Sequence, residues 1–368
     1  EMLRSLVGSE MCIRDRIMIK AVSLFSGAGG MDVGFEKAGI DVVFANEIDK
    51  ISAQTYSTNH PNTEIVVDDI NNIYDRLESY AGTDIVFGGP PCQGFSVIGK
   101  MNPEDERSQL IWSFLKVVEI IRPKAFVMEN VKALAAISKW RDVREEYIHR
   151  AYELGYGCVP FIVNAAEYGT PQKRERVFFI GIRDDYSFEQ KMWDNIREQQ
   201  RKAPVIRELF KDLGPAGTEK NPRTCNAKIT FAVRPVIRRI PYDCLMFNGI
   251  GRPIDPDGYS RTITASAGGN MTLIVDEKFL HDPTADNWIQ EYYDKVINKE
   301  IIPEFKEAPE RLRRLTIRET MRLQTFPDNY VFCGPKSSVY KQLGNAVPCE
   351  MAKTIAVAVS NYISSNNI

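Results

Sequence analysis

Several features that mark common protein classes are missing from this sequence. Its seven cysteines form no CxxC pair and its three histidines have no ligand-like spacing, so the sequence predicts neither a structural zinc site nor a disulfide framework. No run of about 18 apolar residues is present that would predict a membrane span. These absences favour a chain with no metal and no membrane contact, in a reducing cytoplasmic compartment.

The charge of the chain is nearly balanced but unevenly distributed. The formal net charge is −2, which argues against a uniformly basic nucleic-acid-binding protein. Residues 201–243 nevertheless contain ten lysines and arginines against four acidic residues. A basic segment on a near-neutral protein is typical of a surface that faces phosphates, although a solvated charged loop has the same composition.

The order of apolar runs and glycine turns predicts the fold class. From Lys20 to about Arg183, short runs of β-forming residues alternate with helical patterns, which indicates an α/β fold with a doubly wound, Rossmann-like sheet. Residues 1–17 lack the long apolar core of a signal peptide, and we expect them to be an extraneous leader before a natural start at Met18. The rest of the chain divides into an α/β domain at 18–183, a smaller irregular domain at 184–309 and a C-terminal segment at 310–368 whose helix returns to the first domain.

A glycine-rich turn and two acids predict a nucleoside site. The turn SGAGG, at 26–30, follows the first strand, and its glycines allow a ligand to approach the backbone closely. Glu47 follows Gly27 by 20 positions, about the offset at which Rossmann-type folds place an acid on ribose hydroxyls. Asp69 follows the third strand and could accept a hydrogen bond from the exocyclic amine of adenine. Asp68 could instead simply cap the next helix.

The stretch GGPPCQGFS, at 88–96, is the most distinctive in the chain. The apolar run 84–87 predicts a buried strand, so Cys92 belongs to the loop at the carboxyl end of that strand. In open α/β sheets this edge is where ligands bind, and two prolines stiffen the backbone there. A buried, inert thiol in a Pro-Gly turn is the alternative, because free cysteines are commonly buried.

Polar residues after later strands extend the predicted site. Glu129 directly follows the predicted strand 124–128 and adds a third acid to the same edge of the sheet. In PQKRERV, Arg174 and Arg176 share one alternation phase, so in an extended segment both side chains point to one face. Two inward arginines suit an anionic or carbonyl-bearing ligand, and a solvated edge strand is the alternative.

With these motifs assembled, the chain resembles the family of cytosine-C5 DNA methyltransferases from about Lys20 to its C-terminus. The similar motifs stand in the family's usual order: LFSGAGG at 24–30, NEID at 46–49, DDI at 68–70, PPCQGFS at 90–96, ENV at 129–131, QKRER at 172–176, RLTIRETMRLQTFP at 314–327 and QLGNAVP at 342–348. Residues 184–309 correspond to the family's variable target-recognition domain, in which only YSRTITASAGGN at 259–270 is similar.

The resemblance implies a role for each matching residue. It implies that a Cys92 thiolate adds to carbon 6 of a flipped-out cytosine, after which carbon 5 takes the methyl group of S-adenosylmethionine. The implied catalytic residues are Cys92, Glu129, Arg174 and Arg176. The implied cofactor-binding residues are Phe25, Ser26, Gly27, Ala28, Gly29, Gly30, Glu47, Ile48, Asp69, Ile70, Pro90, Asn345 and Ala346. The implied DNA-binding residues are Gln93, Ser96, Arg107, Arg261, Gly268 and Gly269.

The resemblance also implies the setting in which the protein works. It implies a monomer that needs no metal and acts on duplex DNA, in the cytoplasm and at the nucleoid. A restriction endonuclease that cuts the same DNA site, without direct contact, is the implied counterpart.

Three other functions fit parts of the pattern. A tRNA cytosine methyltransferase would use the same chemistry. Those methyltransferases resemble this pattern but carry a Cys-Phe-Thr signature that this sequence lacks. A catalytically silent DNA- or cofactor-binding protein would not need Cys92 and Glu129. A dinucleotide-dependent dehydrogenase would use the glycine turn and leave the motifs PPCQ, ENV and QKRER unexplained.

Overall fold

The structure is a computed structural model, and it describes residues 18–91 and 109–366. Four residues with predicted roles, Cys92, Gln93, Ser96 and Arg107, lie outside the described residues, as does the leader 1–17. No helix within the described ranges is both long enough and apolar enough to cross a membrane.

The secondary structure alternates between strands and helices in the first half of the chain. The strands are β1 (Lys20–Leu24), β2 (Asp41–Asn46), β3 (Glu64–Val66), β4 (Ile85–Gly88), β5 (Ala125–Val131), β6 (Tyr156–Asn164), β7 (Gln172–Lys173), β8 (Glu175–Arg183), β9 (Phe231–Val236), β10 (Leu245–Phe247), β11 (Ser260–Arg261), β12 (Ile274–Asp276) and β13 (Leu312–Arg314). The α-helices are α1 (Gly30–Lys37), α2 (Lys50–Asn59), α3 (Tyr74–Leu77), α4 (Leu110–Ile121), α5 (Lys132–Ala136), α6 (Arg141–Glu153), α7 (Glu189–Arg197), α8 (Ile206–Phe210), α9 (Glu277–His281), α10 (Trp288–Ile297), α11 (Ile317–Leu323), α12 (Lys336–Asn345) and α13 (Cys349–Asn366).

A seven-stranded sheet in the order β3-β2-β1-β4-β5-β8-β6 forms the centre of the fold. Strands β3, β2, β1, β4 and β5 are parallel, and β8 runs antiparallel to both β5 and β6. The chain enters the sheet at β1, builds outward to β3 and then returns to β4, so the strand order reverses between β1 and β4. The predicted doubly wound α/β class is confirmed, and ligands of such sheets bind beside this reversal.

Apolar layers cover both faces of the sheet. On one face Phe87 of β4 stacks on Phe35 of α1, with ring centroids 3.8 Å apart, and Ile355 of α13 belongs to the same buried cluster. On the other face Phe126 of β5 meets Phe114 of α4 edge to face, at 6.1 Å. Strands that are buried on both sides need apolar residues at every position, which is why their sequences read as continuous apolar runs.

The C-terminal helix α13 packs closely against α1. A Cβ atom placed on Gly34 would lie 2.6 Å from the Cβ atom of Ala352, so only glycine permits this approach of the two helices. The C-terminal helix therefore lies against α1, the first helix of the α/β part of the chain.

The segment 184–309 contains short strands and two small apolar clusters. Its strands pair across both predicted domain boundaries, because β11 pairs with β7 and β12 pairs with β13. The division at 184 and 309 stays a prediction.

The stretch RLRRLTIRETMRLQTFP at 311–327 has a pattern that predicts a helix ending before Pro327, and this prediction is wrong in its first part. Leu312–Arg314 form β13, and α11 begins only after Thr316. The Thr316 hydroxyl accepts a hydrogen bond from the backbone N–H of Glu319 at 3.1 Å, and the Glu319 carboxylate accepts one from the N–H of Thr316 at 2.9 Å. This capping box fixes the start of the helix later than the charge and apolar pattern indicates.

Candidate active site

A cleft of about 1840 Å³ lies at the carboxyl ends of β1, β2, β4 and β5. Its walls hold most of the residues that the sequence singles out: Phe25, Ser26, Gly27, Ala28, Gly30, Glu47, Ile48, Asp69, Ile70, Pro90, Glu129, Arg174, Arg176, Asn345 and Ala346. Arg261 lies instead on the wall of a neighbouring cavity of about 330 Å³, which shares residues 262–264 with the cleft. Gly268 and Gly269 lie in a turn between these residues and β12, outside the walls of both cavities.

The glycine turn leaves β1 through an unusual backbone conformation. Phe25 has φ of +53°, Gly27 has +56° and Gly29 has +82°, and an L-residue other than glycine is strained in this region. The turn is held against β2, because the Ser26 N–H donates to the carbonyl of Asn46 at 3.0 Å. A sharp turn of this kind exposes backbone N–H groups at the start of α1.

Glu47 closes onto the glycine turn. Its Oε2 atom accepts a hydrogen bond from the Gly27 N–H at 2.7 Å, and its Oε1 atom accepts one from the Asp49 N–H at 2.8 Å. Burial raises the pKa of Glu47, and these two N–H donors oppose that rise. The carboxylate is therefore fixed at the end of β2, with lone pairs left for hydroxyl donors of a ligand.

A buried polar cluster supports the glycine turn from behind. The Tyr330 hydroxyl donates to the carbonyl of Ala28 at 2.5 Å and lies 2.9 Å from Nε2 of His60. The Nδ1 atom of His60 lies 2.7 Å from the Glu36 carboxylate. Both ring nitrogens of His60 therefore have a hydrogen-bond partner in this cluster. The cluster thus contains two residues 270 positions apart in the chain, His60 and Tyr330, and it contacts the glycine turn through Ala28.

Alanine at Gly29 is expected to weaken cofactor binding at least about ten-fold, because the new side chain has no room. Its Cβ atom would lie 2.5 Å from Nε2 of His60 and 2.6 Å from the Tyr330 hydroxyl. The matched control is Gly39→Ala, since Gly39 has the same φ of +82° but a methyl group there would have nothing within 4 Å. Titration calorimetry with S-adenosylhomocysteine measures both variants, and equal affinities for the two would contradict the role of this contact.

Asp32 is buried beneath the same turn, at the start of α1. It is fully inaccessible to solvent, and its Oδ1 atom accepts a hydrogen bond from the Tyr56 hydroxyl at 2.9 Å. Burial raises the pKa of Asp32 to about 6, with the nearby His60 opposing the shift. A carboxyl with a raised native pKa binds protons more tightly in the folded state than in the unfolded state.

Asp32→Asn is therefore expected to flatten the pH dependence of stability between about pH 4 and pH 6. The contribution of Asp32 to the free energy of unfolding falls as pH rises through this window, by about 3 kcal/mol for a shift of roughly two pKa units. The amide stays neutral and keeps an oxygen for Tyr56. Urea unfolding at several pH values measures this, with Asp75→Asn as an exposed control. The same pH dependence in Asp32→Asn and wild type would contradict the assignment.

Glu129 and Arg176 form an ion pair inside the cleft. Glu129 lies in β5, two residues before the end of the strand, and is 9% exposed. Its Oε1 atom lies 2.9 Å from Nε of Arg176 on the neighbouring strand β8. Burial raises the pKa of Glu129, although Arg176 and Arg174 act in the opposite direction. The carboxyl group is thus closer to holding a proton at neutral pH than an exposed glutamate is.

The same glutamate stands beside the segment that leads to Cys92. A Cβ atom on Gly89 would lie 3.1 Å from Oε2 of Glu129, and the Asn130 amide donates to the carbonyl of Pro90 at 3.3 Å. Pro91 is the last described residue before Cys92 in the sequence. The end of β5 therefore holds both the buried carboxyl group and the backbone that precedes the predicted nucleophile.

Arg174 has different surroundings from Arg176. It lies between β7 and β8 and is 2% exposed, and its Nη1 atom donates to the carbonyls of Ile263 at 2.8 Å and Gly344 at 3.4 Å. The positive charge of Arg174 lowers the pKa of Glu129. Its two hydrogen bonds connect the segment after β11 with the end of α12. The two arginines are thus close to one carboxylate, as their alternation predicts, but the chain is not one continuous strand through them.

The basic segment 201–243 is only partly a free positive surface. Four of its ten basic residues pair with carboxylates elsewhere: Arg201 with Glu350, Arg207 with Asp257, Arg223 with Glu277 and Lys228 with Glu307. Arg234, Arg238 and Arg239 are exposed. Three arginines, Arg238, Arg252 and Arg261, lie close together. Burial lowers the pKa of Arg252, the charges of Arg261 and Arg238 lower it further, and Asp243 opposes them.

Sequence reasoning misses three residues that support the site. The spacing of His60 fits no metal ligand set, Tyr330 lies in a stretch with no distinctive motif, and Asn71 follows the DDI motif as an ordinary polar residue. Their contacts join distant parts of the chain or depend on side-chain direction. One sequence alone carries no signal for such contacts.

Comparisons with known proteins agree with this geometry. The profile of the family described as C-5 cytosine-specific DNA methylase matches residues 19–361. The chain is similar to the type II methyltransferase M.FnuDI of Fusobacterium nucleatum, with 32% identity over 94% of this chain and 95% of that protein. It is also similar to the type II methyltransferase M.NgoPII of Neisseria gonorrhoeae, with 30% identity over 94% of this chain and 96% of that protein.

Solved structures share the fold at lower identity. One is a Dnmt2 methyltransferase from S. pombe, with a TM-score of 0.64 and 18% identity over 95% of this chain and all of that chain. Another is a putative DNA modification methyltransferase encoded within a prophage of E. coli, with a TM-score of 0.64 and 22% identity over 94% of this chain and 99% of that chain. At these identities the likeness concerns the fold.

Proposed function

The chain belongs to the family of C-5 cytosine-specific DNA methylases, and from that premise we propose how its own residues carry out the reaction. We propose that it transfers the methyl group of S-adenosylmethionine to carbon 5 of a cytosine that is flipped out of duplex DNA. The observation that carries the proposal is the buried Glu129–Arg176 pair, which lies in one cleft with the glycine turn and the backbone before Cys92.

The cleft suits S-adenosylmethionine as the methyl donor. Gly27 has nothing within 4 Å of where a side chain would be, so a ligand can lie against the turn. Glu47 would accept hydrogen bonds from the ribose hydroxyls, and Asp69 would accept one from the adenine amine. Phe25, Ile48, Ile70 and Pro90 would supply apolar contacts around the base, and Asn345 and Ala346 also line the cleft. When bound, S-adenosylmethionine supplies an electrophilic methyl group.

The reaction needs a nucleophile because carbon 5 of cytosine is itself a poor one. A thiolate that adds to carbon 6 turns the ring into an enamine, whose carbon 5 is reactive toward the methyl group. Thiolates add readily and leave again, which makes Cys92 the residue for this step. Loss of the carbon 5 proton and departure of the Cys92 thiolate then restore the aromatic ring.

Glu129 and Arg176 would stabilise the charge that this addition creates. Negative charge builds on N3 and O2 of the ring as the thiolate adds. A proton held by Glu129 can be donated to N3, and the guanidinium of Arg176 can hold O2. In the absence of substrate the two side chains neutralise each other, as their 2.9 Å contact indicates. Arg174 would add positive charge near Glu129, and its hydrogen bond to the carbonyl of Ile263 holds the segment after β11.

We propose duplex DNA as the substrate that enters this cleft. Flipping a base costs a few kcal/mol, which phosphate contacts offset. Arg252 and Arg261 line the cavity next to the cleft, with Arg261 paired to Asp243, and Arg238 lies near Arg252. We propose that these arginines and the exposed Arg234 and Arg239 contact phosphates. Further proposed DNA contacts are Gln93, Ser96, Arg107, Gly268 and Gly269. We propose a monomer on chromosomal DNA with a restriction endonuclease of the same specificity as its counterpart, as the type II names of the relatives suggest.

Bisulfite sequencing of DNA from cells that express the chain tests the proposed function. We expect cytosines in one short sequence to resist conversion wherever that sequence occurs, and cells that express Cys92→Ala to show no such protection. Full conversion of all cytosines in cells that contain the folded wild-type protein would contradict the proposal. Bisulfite sequencing of RNA from the same cells is the counterpart, and protection found in RNA but not in DNA would contradict the choice of substrate.

A further inference from the structure

A chain of hydrogen bonds fixes the orientation of the Asp69 carboxylate from outside the cofactor cleft. Asp69 precedes the short 3-10 turn Ile70–Asn72, and its Oδ1 atom accepts two hydrogen bonds from Asn71. One comes from the backbone N–H and the other from the side-chain amide, both at 2.9 Å. Asp69 itself lies on the wall of the cleft, whereas Asn71 is exposed on its outer side.

Two hydroxyl groups determine which way the Asn71 amide points. Its Oδ1 atom accepts from the Tyr74 hydroxyl at 2.7 Å and from the Ser113 hydroxyl at 2.9 Å. With the oxygen held by two donors, the NH₂ group must face Asp69. Reversing the amide would place its oxygen against a carboxylate that can only accept. Residues from α3 and α4 therefore hold one amide in one orientation.

The arrangement leaves a single carboxylate oxygen for a ligand. Both bonds from Asn71 end on Oδ1, and no hydrogen bond from the described residues ends on Oδ2 of Asp69. An acceptor in a fixed place distinguishes a ligand with an amine there from one with a carbonyl oxygen, because two acceptors repel each other.

We propose that Asn71 is a positioning residue that makes the cleft selective for a ligand with an exocyclic amine. The side chains of Tyr74 and Ser113 hold Asn71, Asn71 holds Oδ1 of Asp69, and Oδ2 meets the amine of adenine. This inference rests on the proposed cofactor site and goes beyond it by assigning selectivity to residues that touch no ligand.

The test compares two ligands that differ at that one group. S-adenosylhomocysteine carries the amine, and S-inosylhomocysteine carries an oxo group in its place. Titration calorimetry with the full chain gives the ratio of the two affinities. We expect Asn71→Ala to bind S-adenosylhomocysteine about five-fold more weakly while S-inosylhomocysteine binds as before, since one hydrogen bond that orients the acceptor is lost.

Two further variants make the test specific. Asn72→Ala is the matched control, because the Asn72 amide donates to Oδ1 of Asp68 at 2.9 Å, and its ligand ratio should equal that of wild type. The double variant Tyr74→Phe/Ser113→Ala keeps Asn71 but no longer holds its amide in one orientation. The preference of this variant for S-adenosylhomocysteine over S-inosylhomocysteine should fall toward that of Asn71→Ala.

The outcomes separate this inference from the function on which it rests. A wild-type ratio in Asn71→Ala, or an equal loss for both ligands, would overturn the positioning role while leaving the cofactor site in place. If wild type binds the two ligands equally well, Asp69 does not face the amine, and both the inference and the placement of adenine are wrong.

Discussion

Replacement of Cys92 by alanine is expected to abolish methyl transfer to DNA while leaving DNA binding largely intact. Without the thiolate no enamine forms, and carbon 5 of cytosine is not nucleophilic enough to react at a useful rate. Loss of a catalytic nucleophile lowers the rate by at least about 10⁴-fold. Transfer of a labelled methyl group from S-adenosylmethionine to DNA measures the rate, and a gel-shift titration measures DNA affinity.

A second cysteine provides the control for this substitution. Cys333 is a free, partly exposed thiol that does not line the cleft, so Cys333→Ala should retain the wild-type rate. Appreciable turnover by Cys92→Ala under the same conditions would show that the methyl group reaches cytosine by another route.

Glu129→Gln is expected to slow methyl transfer by about 10²- to 10³-fold with little change in DNA affinity. The amide has the shape of the carboxyl group but cannot give up a proton to N3 of the ring. It also leaves the Arg176 guanidinium without its anionic partner at 2.9 Å in the free protein. Single-turnover rates with saturating DNA separate the chemical step from binding.

The control for this variant is Glu119→Gln, an exposed glutamate on α4 outside the cleft. It removes one negative charge without touching the site, so its single-turnover rate should match wild type. A Glu129→Gln rate within a few-fold of wild type would mean that ring protonation does not depend on this residue.

The central sheet and the acids at its edge could be predicted because each depends on local sequence. The strands β1, β2, β4 and β5 are mostly apolar, as is typical of strands that are buried on both faces. The carboxyl ends of parallel strands meet at one edge, so Glu47, Asp69 and Glu129 lie together as expected. The glycine turn could be predicted equally well, because backbone in the left-handed region favours glycine.

Contacts between distant residues could not be predicted from one sequence. The support of Ala28 by Tyr330 depends on how the end of the chain folds back on its beginning. The interpretation of the sequence also missed two local features. Asp69, rather than Asp68, occupies the cap position of the following turn, and Asp68 accepts a hydrogen bond from the Asn72 amide. The start of α11 depends on the capping box of Thr316, which overrides an apolar and charged pattern that by itself looks helical.

The most direct test of the account uses duplex DNA in which 5-fluorocytosine replaces every cytosine. Fluorine cannot leave carbon 5 as a proton does, so an enzyme that adds through Cys92 and transfers a methyl group is trapped on the DNA. We expect a denaturation-resistant complex that forms only with S-adenosylmethionine, with the DNA attached at Cys92 by peptide mass mapping and no complex from Cys92→Ala. Failure to trap DNA with a preparation that methylates ordinary cytosine, or attachment at another residue, would contradict the account.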